Sequence, residues 1–377
     1  MNPPRIMLVM PLGVQLGGGE MMFRQLLQHG RSPRVEWIVV FTQDGPMVAE
    51  SRALGHETHV LPAGRLRQFG RRWSVIRAIA RLARERQVSM IFGWMVASQT
   101  MAGPAALLAG IPGAWYQVGR PSPDWLDRLA ALFPARGILV LSRDCADAQA
   151  RVWPPHAIRL VYPGVSLERF DAARRETPAE ARAALGLPRD GALIGIVGRL
   201  QRWKGMHVLI DALPAVRARH PDARVVIVGG EHEPEPDYGE RLHAQVRRLG
   251  LDDAVLFAGF QPDVPRWMQA MDIVVHASDR EPFGIVVVEA MALGKPVVAG
   301  AEGGPAEVIQ AGVNGLLAPY GDAAALATAL LRYLDDPAFA MRCAAAAAQR
   351  ARDFSAARYA EAFTDAVLEL LPAAAGR

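Results

Sequence analysis

The chain has 377 residues, 51% apolar and 21% charged, which exceeds what one hydrophobic core usually supports and fits an ordinary globular protein of two domains. Its two cysteines, Cys145 and Cys343, lie far apart and outside any CxxC or Cys/His cluster, which excludes a disulfide framework and a thiolate zinc site and fits a reducing, cytoplasmic compartment. The net charge of +4 hides an asymmetry: residues 1–170 hold 20 arginines against 11 acids, whereas 171–377 hold 22 basic residues against 27 acids, so the first half is expected to meet an anion, with no interleaved aromatic motif for nucleic acid.

The opening "MNPPRIMLVMPLGVQLGGGE" imitates a signal peptide, but a glycine-rich turn follows the apolar run where a small-x-small cleavage site would stand. Ile6–Met10 therefore reads as a first buried strand. No stretch reaches the roughly 18 apolar residues of a membrane span, so a soluble or peripheral protein is expected. Gly17-Gly18-Gly19-Glu20 then opens a helix, either as an anion site of free backbone amides or as a plain tight turn. It lacks G-x-G-x-x-G spacing, and the next strand, "VEWIVVFTQDG", ends in Thr42 where a ribose-binding acid would stand, which disfavours a dinucleotide.

Further apolar runs follow, "ETHVLP", "VSMIFGW", "GAWYQV" and "GILVLS", and after residue 191 "ALIGIVG", "ARVVIVGG", "AVLFAGF", "DIVVHAS" and "KPVVAG". Runs that are continuous rather than alternating predict strands covered on both faces, hence parallel sheets in two doubly wound α/β domains with a ligand cleft at the strand ends. Residues 64–86, "GRLRQFGRRWSVIRAIARLARER", carry eight arginines and one acid. They read either as a basic amphipathic helix lying on an anionic membrane, with Trp73, Ile76, Ala80 and Ala83 on its apolar face, or as an ordinary helix packed on the first sheet. Residues 171–191, polar with Pro178 and Pro188, read as the connection between a 1–170 domain and a 192–350 domain. The segment 351–377 reads as a C-terminal helix, apolar at 354, 359, 363, 367 and 370, that packs back on the first domain.

The densest chemistry lies in the second half. In "IVGRLQRWKG" an apolar strand ends at Gly198, and Arg199 and Lys204 follow at a strand–helix junction suited to a diphosphate; Arg202 reads as a solvated charge. Lysine occurs only at 204 and 295, which gives Lys204 either a task arginine does poorly or a chance survival. In "REPFGIVVVEAMALGKPVVAG", a helix starting near Gly284 aims free amides at a phosphate, Glu281 stands just outside it, and Glu289 would otherwise be a buried acid without a partner. His276 in "VVHAS" reads as a packed strand-end residue, and no D-x-D occurs, so a diphosphate held by metal is not expected.

Together "GRLQRWKG", "VIVGG", "EPFGIVVVEAMALGKPVVAG", "GGPAEVI" and "NGLLAP" resemble the retaining glycosyltransferases of family 4, strongly over 192–334 and more weakly over 1–165. The resemblance implies the GT-B fold, two Rossmann-like domains facing a central cleft. It implies a nucleotide-sugar donor as co-substrate with no cofactor, and an acceptor that is a glycan, a lipid-linked sugar or a small molecule. It further implies that Arg199 and Lys204 neutralise the donor diphosphate, Glu281 contacts the donor sugar, amides from Phe283, Gly284, Ile285 and Val286 meet sugar and phosphate, and Glu289 binds the ribose. Gly18 would close over the diphosphate from the other domain, and Gly19, Gly198 and Gly229 would also bind the donor. Gln117 stands where many members carry a histidine near the donor sugar; its amide can hydrogen-bond a sugar hydroxyl there but cannot shuttle a proton. Two other readings stay open: a nucleotide-sugar epimerase of the same fold, and a silent sugar-nucleotide-binding subunit.

Overall fold

The computed structural model describes residues 3–64, 67–122 and 124–372. Two compact units divide them, Met1–Gly164 with Ala356–Arg377, and Val165–Ser355.

In the first unit β1 (Arg5–Met10), β2 (Glu36–Phe41), β3 (Glu57–Val60), β4 (Met90–Trp94), β5 (Gly113–Gln117), β6 (Ile138–Val140) and β7 (Ile158–Leu160) form a parallel sheet in the order β3-β2-β1-β4-β5-β6-β7. Ile6–Met10 are fully buried because helices cover both faces. The edge strand β3 is only half-buried along its length, as its polar residues allow. β7 was not foreseen: a three-residue edge strand with exposed Arg159 and Leu160 carries no apolar run. The C-terminal helix Ala356–Glu369 belongs to this unit, where Phe363 sits among Phe92, Trp94 and Tyr116 at centroid distances of 5.2, 5.5 and 5.8 Å. Such tilted and edge-on pairs add to the area the aromatic rings bury.

In the second unit β8 (Leu193–Val197), β9 (Arg224–Val228), β10 (Val255–Gly259), β11 (Ile273–His276), β12 (Val297–Gly300) and β13 (Leu316–Ala318) form another parallel sheet, in the order β10-β9-β8-β11-β12-β13. Leu209 and Leu213 of the helix Met206–Arg217 share one core with Leu326 and Leu330 of the helix Ala323–Asp335.

The expected connection 171–191 is instead part of this second unit. It forms the helices Asp171–Arg175 and Pro178–Leu185. Pro178 takes the first helical position after a Thr177–Glu180 capping box, and Pro188 follows a left-handed C-cap at Gly186, so these prolines punctuate a helix rather than mark a linker. Buried Arg182 ties the segment down: it donates to Ala270 O, Arg189 O and Gly191 O and pairs with Asp272 at 2.5 Å.

Candidate active site

The second sheet reverses its strand order between β8 and β11, and the loops leaving the C-terminal ends of these strands meet there, at the position where doubly wound sheets bind ligands. After β8 the chain passes Gly198 and exposed Arg199, makes a short turn over Arg202–Lys204, and enters the helix Met206–Arg217 through Gly205 at φ +75°. A Cβ on Gly205 would lie 2.0 Å from Ala277 O, so only glycine lets this turn seat against the end of β11. Asp279 N donates to Trp203 O at 2.7 Å and joins the two loops.

This seating delivers Lys204 to Glu281. Lys204 Nζ lies 2.6 Å from Glu281 Oε2, with the side chains 17% and 14% exposed, and 4.0 Å above the Trp203 ring. His276 Nε2 lies 3.2 Å from the same oxygen. In the neutral ring, an Nε2–H that donates to Glu281 leaves Nδ1 as the acceptor nitrogen, and Nδ1 has no hydrogen-bond partner among the described residues. Burial pushes the Glu281 carboxyl up, but Lys204 and His276 outweigh it and bring the pKa to about 2. The Glu281 backbone is also pinned: its carbonyl accepts from Gly304 N at 2.8 Å, it bridges Gly303, and Arg280 before it sits at φ +39°. His276 is thus part of the cluster, where the sequence suggested only a packed strand end. Gly303 and Gly304, legible only as part of "GGPAEVI", hold Glu281 in place.

The helix Ile285–Ala292 begins after Gly284, its N-cap, at φ +90°. Its first turn closes with Val287 N on Gly284 O, leaving the amides of Ile285 and Val286 ahead of that bond. Phe283 is buried with its ring 5.5 Å from that of Phe354. Glu289, also buried, is not alone: Arg169 Nη1 stands 3.7 Å from Oε1. Burial raises its carboxyl to about 7, with Arg169 opposing. No hydrogen bond or ion pair joins the Glu289 pair to the Glu281 cluster among the described residues. Gly229, after β9, has a packing reason to be glycine, since a Cβ there would fall 1.8 Å from Gly198 O.

In the first unit the helix Gly18–His29 starts inside the glycine triplet, and Glu20 Oε2 accepts from Gly17 N at 2.7 Å. Gly19 O accepts from Trp94 Nε1 at 3.0 Å. Gln117 sits in a buried hydrogen-bond network. It ends β5 with 4% exposure; Nε2 donates to Asp127 at 3.0 Å and Oε1 accepts from Trp115 Nε1 at 3.3 Å, which engages one of its two amide hydrogens and one lone pair of its oxygen. Of the two readings of the basic segment, the packed helix accounts for its apolar face. Within 64–86, of which Arg65 and Leu66 lie outside the described residues, the helix is Phe69–Glu85, and Ile76, Ala80 and Ala83 are buried in the core with Ile79 while Arg77, Arg81 and Arg84 are exposed. The apolar stripe is spent on the sheet, and Trp73 alone of that face stays 48% exposed. No helix among the described residues is long and apolar enough to cross a membrane.

Residues 178–350 match Glycosyl transferases group 1, and residues 16–169 match Glycosyltransferase Family 4. The chain belongs to the glycosyltransferase group 1 family and has the GT-B fold. Over 235 residues it is 38% identical to the D-inositol 3-phosphate glycosyltransferase of Frankia alni, covering 60% of this chain and 54% of that protein; it spans about half the length of the curated relatives it matches. Anabaena Alr3699/HepE in complex with UDP superposes with a TM-score of 0.84 at 27% identity, over 97% of this chain and 100% of that one. The same protein in complex with UDP-glucose gives a TM-score of 0.81 at 26% identity, over 97% and 100%.

Proposed function

We propose that this chain transfers a hexose from a uridine diphosphate sugar to an acceptor hydroxyl, with retention of the anomeric configuration and without a divalent cation. The observation that carries the reading is the Lys204–Glu281–His276 cluster at the sheet's switch point, beside exposed Arg199 and the amides that open the helix Ile285–Ala292. Both contacts of Glu281 use Oε2, which leaves Oε1 for a hydroxyl of the donor sugar. Lys204, with three donor positions, keeps Glu281 and takes a phosphate oxygen. Arg199 takes another by its fork, and Glu289 accepts from ribose hydroxyls. As the sugar C1–O bond to the diphosphate breaks, charge grows on the departing oxygen and these groups stabilise it. The acceptor oxygen bonds to C1 on the same face and gives its proton to that phosphate oxygen. Support for uridine comes from the likeness to a protein solved with UDP and UDP-glucose. Support for an acceptor that carries phosphate comes from relatives named for D-inositol 3-phosphate. Cysteine usage supports a cytoplasmic site of action.

The test is to incubate the pure chain with UDP-, GDP- and ADP-hexoses, with and without EDTA, and follow donor hydrolysis and product anomer by NMR. Turnover of a UDP-hexose with retained configuration and no effect of EDTA is expected. UDP binding without turnover of any donor would favour the silent subunit, and loss with EDTA restored by Mg²⁺ or Mn²⁺ would overturn the metal-free chemistry.

A further inference from the structure

Two cavities of the first unit adjoin, with Arg67 and Arg72 lining both. The inner one, about 730 Å³, lies over the C-terminal ends of β1, β2 and β3, where Leu12, Thr42 and Ala63 line it. The outer one, about 540 Å³, is walled by Phe69, Trp73, Pro104, Trp125, Leu129 and Phe133. The chemistry changes from one to the other. Three guanidiniums, Arg67, Arg71 and Arg72, line the inner cavity against one carboxylate, Asp44, whose Oδ1 is occupied by Gly45 N at 2.8 Å. Arg72 is half-buried and donates to Thr100 Oγ1 at 2.7 Å, and no carboxylate pairs with it among the described residues. In the outer cavity Phe69 is 79% exposed and Trp125 64%, rings that a folded chain normally covers.

From this juxtaposition we infer that the groove receives the acceptor as a phosphate-bearing amphiphile, with its anionic head on Arg67 and Arg72 and its hydrocarbon chain along Phe69, Trp73 and Trp125. The inference rests on the glycosyltransferase reading above and adds the acceptor's chemical class. Charge complementarity selects the head: a guanidinium that is partly desolvated and lacks a carboxylate is matched by phosphate in a forked geometry. The apolar wall selects the tail, since every methylene laid along it leaves water. A soluble phosphate ester would use the arginines and leave the aromatic rings in water.

The test is isothermal titration of the full chain, with UDP titrated in parallel as a check on the other unit. The probes are farnesyl phosphate below its micelle concentration, farnesol, inorganic phosphate and inositol phosphate. Farnesyl phosphate should bind at least 30-fold more tightly than any of the other three. Arg72→Gln should weaken farnesyl phosphate at least 10-fold without changing farnesol, Trp125→Ser should weaken both lipids, and neither should change UDP affinity. Trp125 is exposed, so its variant keeps the fold. Equal binding of farnesol would overturn the head assignment, and equal binding of inositol phosphate would overturn the tail. Absence of farnesyl phosphate binding with UDP binding intact would overturn the groove alone, whereas absence of UDP binding would overturn the donor reading beneath it.

Discussion

Lys204→Met separates the ion pair this lysine makes from the diphosphate role proposed for it. The ion pair with Glu281 is 2.6 Å long, with side chains 17% and 14% exposed. Removing one partner of a fully buried pair costs about 3–5 kcal/mol, because the other charge is left uncompensated. Here His276 remains 3.2 Å from the same oxygen and some exposure persists, so about 2–3 kcal/mol is expected. For a unit of this size each kcal/mol shifts Tm by about 2–4 °C, which gives a fall of roughly 5–10 °C. The double variant Lys204→Met/Glu281→Gln removes both charges and should recover most of that fall. Transfer should not recover: losing a cation that stabilises the departing diphosphate costs about 100- to 1000-fold in turnover, and the double variant is at least as slow. Arg199→Ala is the control, since Arg199 is exposed: turnover falls while Tm stays within about 2 °C. Calorimetry at neutral pH, where Glu281 is ionised, and a UDP-hexose turnover assay read both quantities. A double variant that melts below the single one would refute the charge argument, and near-normal turnover in Lys204→Met would refute the leaving-group role.

Glu289 titrates at about 7 in the folded chain, raised from 4.5 by burial against the pull of Arg169. Its raised value means that the neutral form contributes stability below the unfolded pKa, and that this is lost as the pH rises through about 7. The ionised form offers both oxygens as charged acceptors to the ribose hydroxyls, so UDP should bind more tightly as the pH rises through 7; titrations of wild type and Glu289→Gln at several pH values check this, and parallel profiles would remove Glu289 from the ribose. Gln117→Leu removes the donor to Asp127 Oδ1 and the acceptor of the Trp115 indole while Ser122 N keeps Oδ2, so a loss of about 1–3 kcal/mol is expected with UDP affinity unchanged. An unchanged Tm with slowed transfer would return Gln117 to the substrate.

The sequence by itself determined the two parallel sheets and most of their strands, because an uninterrupted apolar run is stable only when both faces are covered. It also determined the residues at the second sheet's switch point. Arg199, Lys204, Glu281 and Gly284 stand where a strand ends or a helix begins, and local chain geometry suffices to put them there. What it could not determine were pairings between distant positions. Lys204 and Glu281 are 77 residues apart, and their contact depends on β8 lying next to β11. Arg169 reaches Glu289 only once the segment 165–191 folds into the second unit, and the capping pattern that announces its helix reads as a linker until Arg182 is seen to be buried. The basic helix shows the same limit, since periodicity identifies an apolar face and only the packed sheet decides that Ile76, Ala80 and Ala83 are spent in the core. Local rules act through a few neighbouring residues, whereas the neighbour of a buried charge is chosen by strand order and helix docking, which are properties of the whole fold.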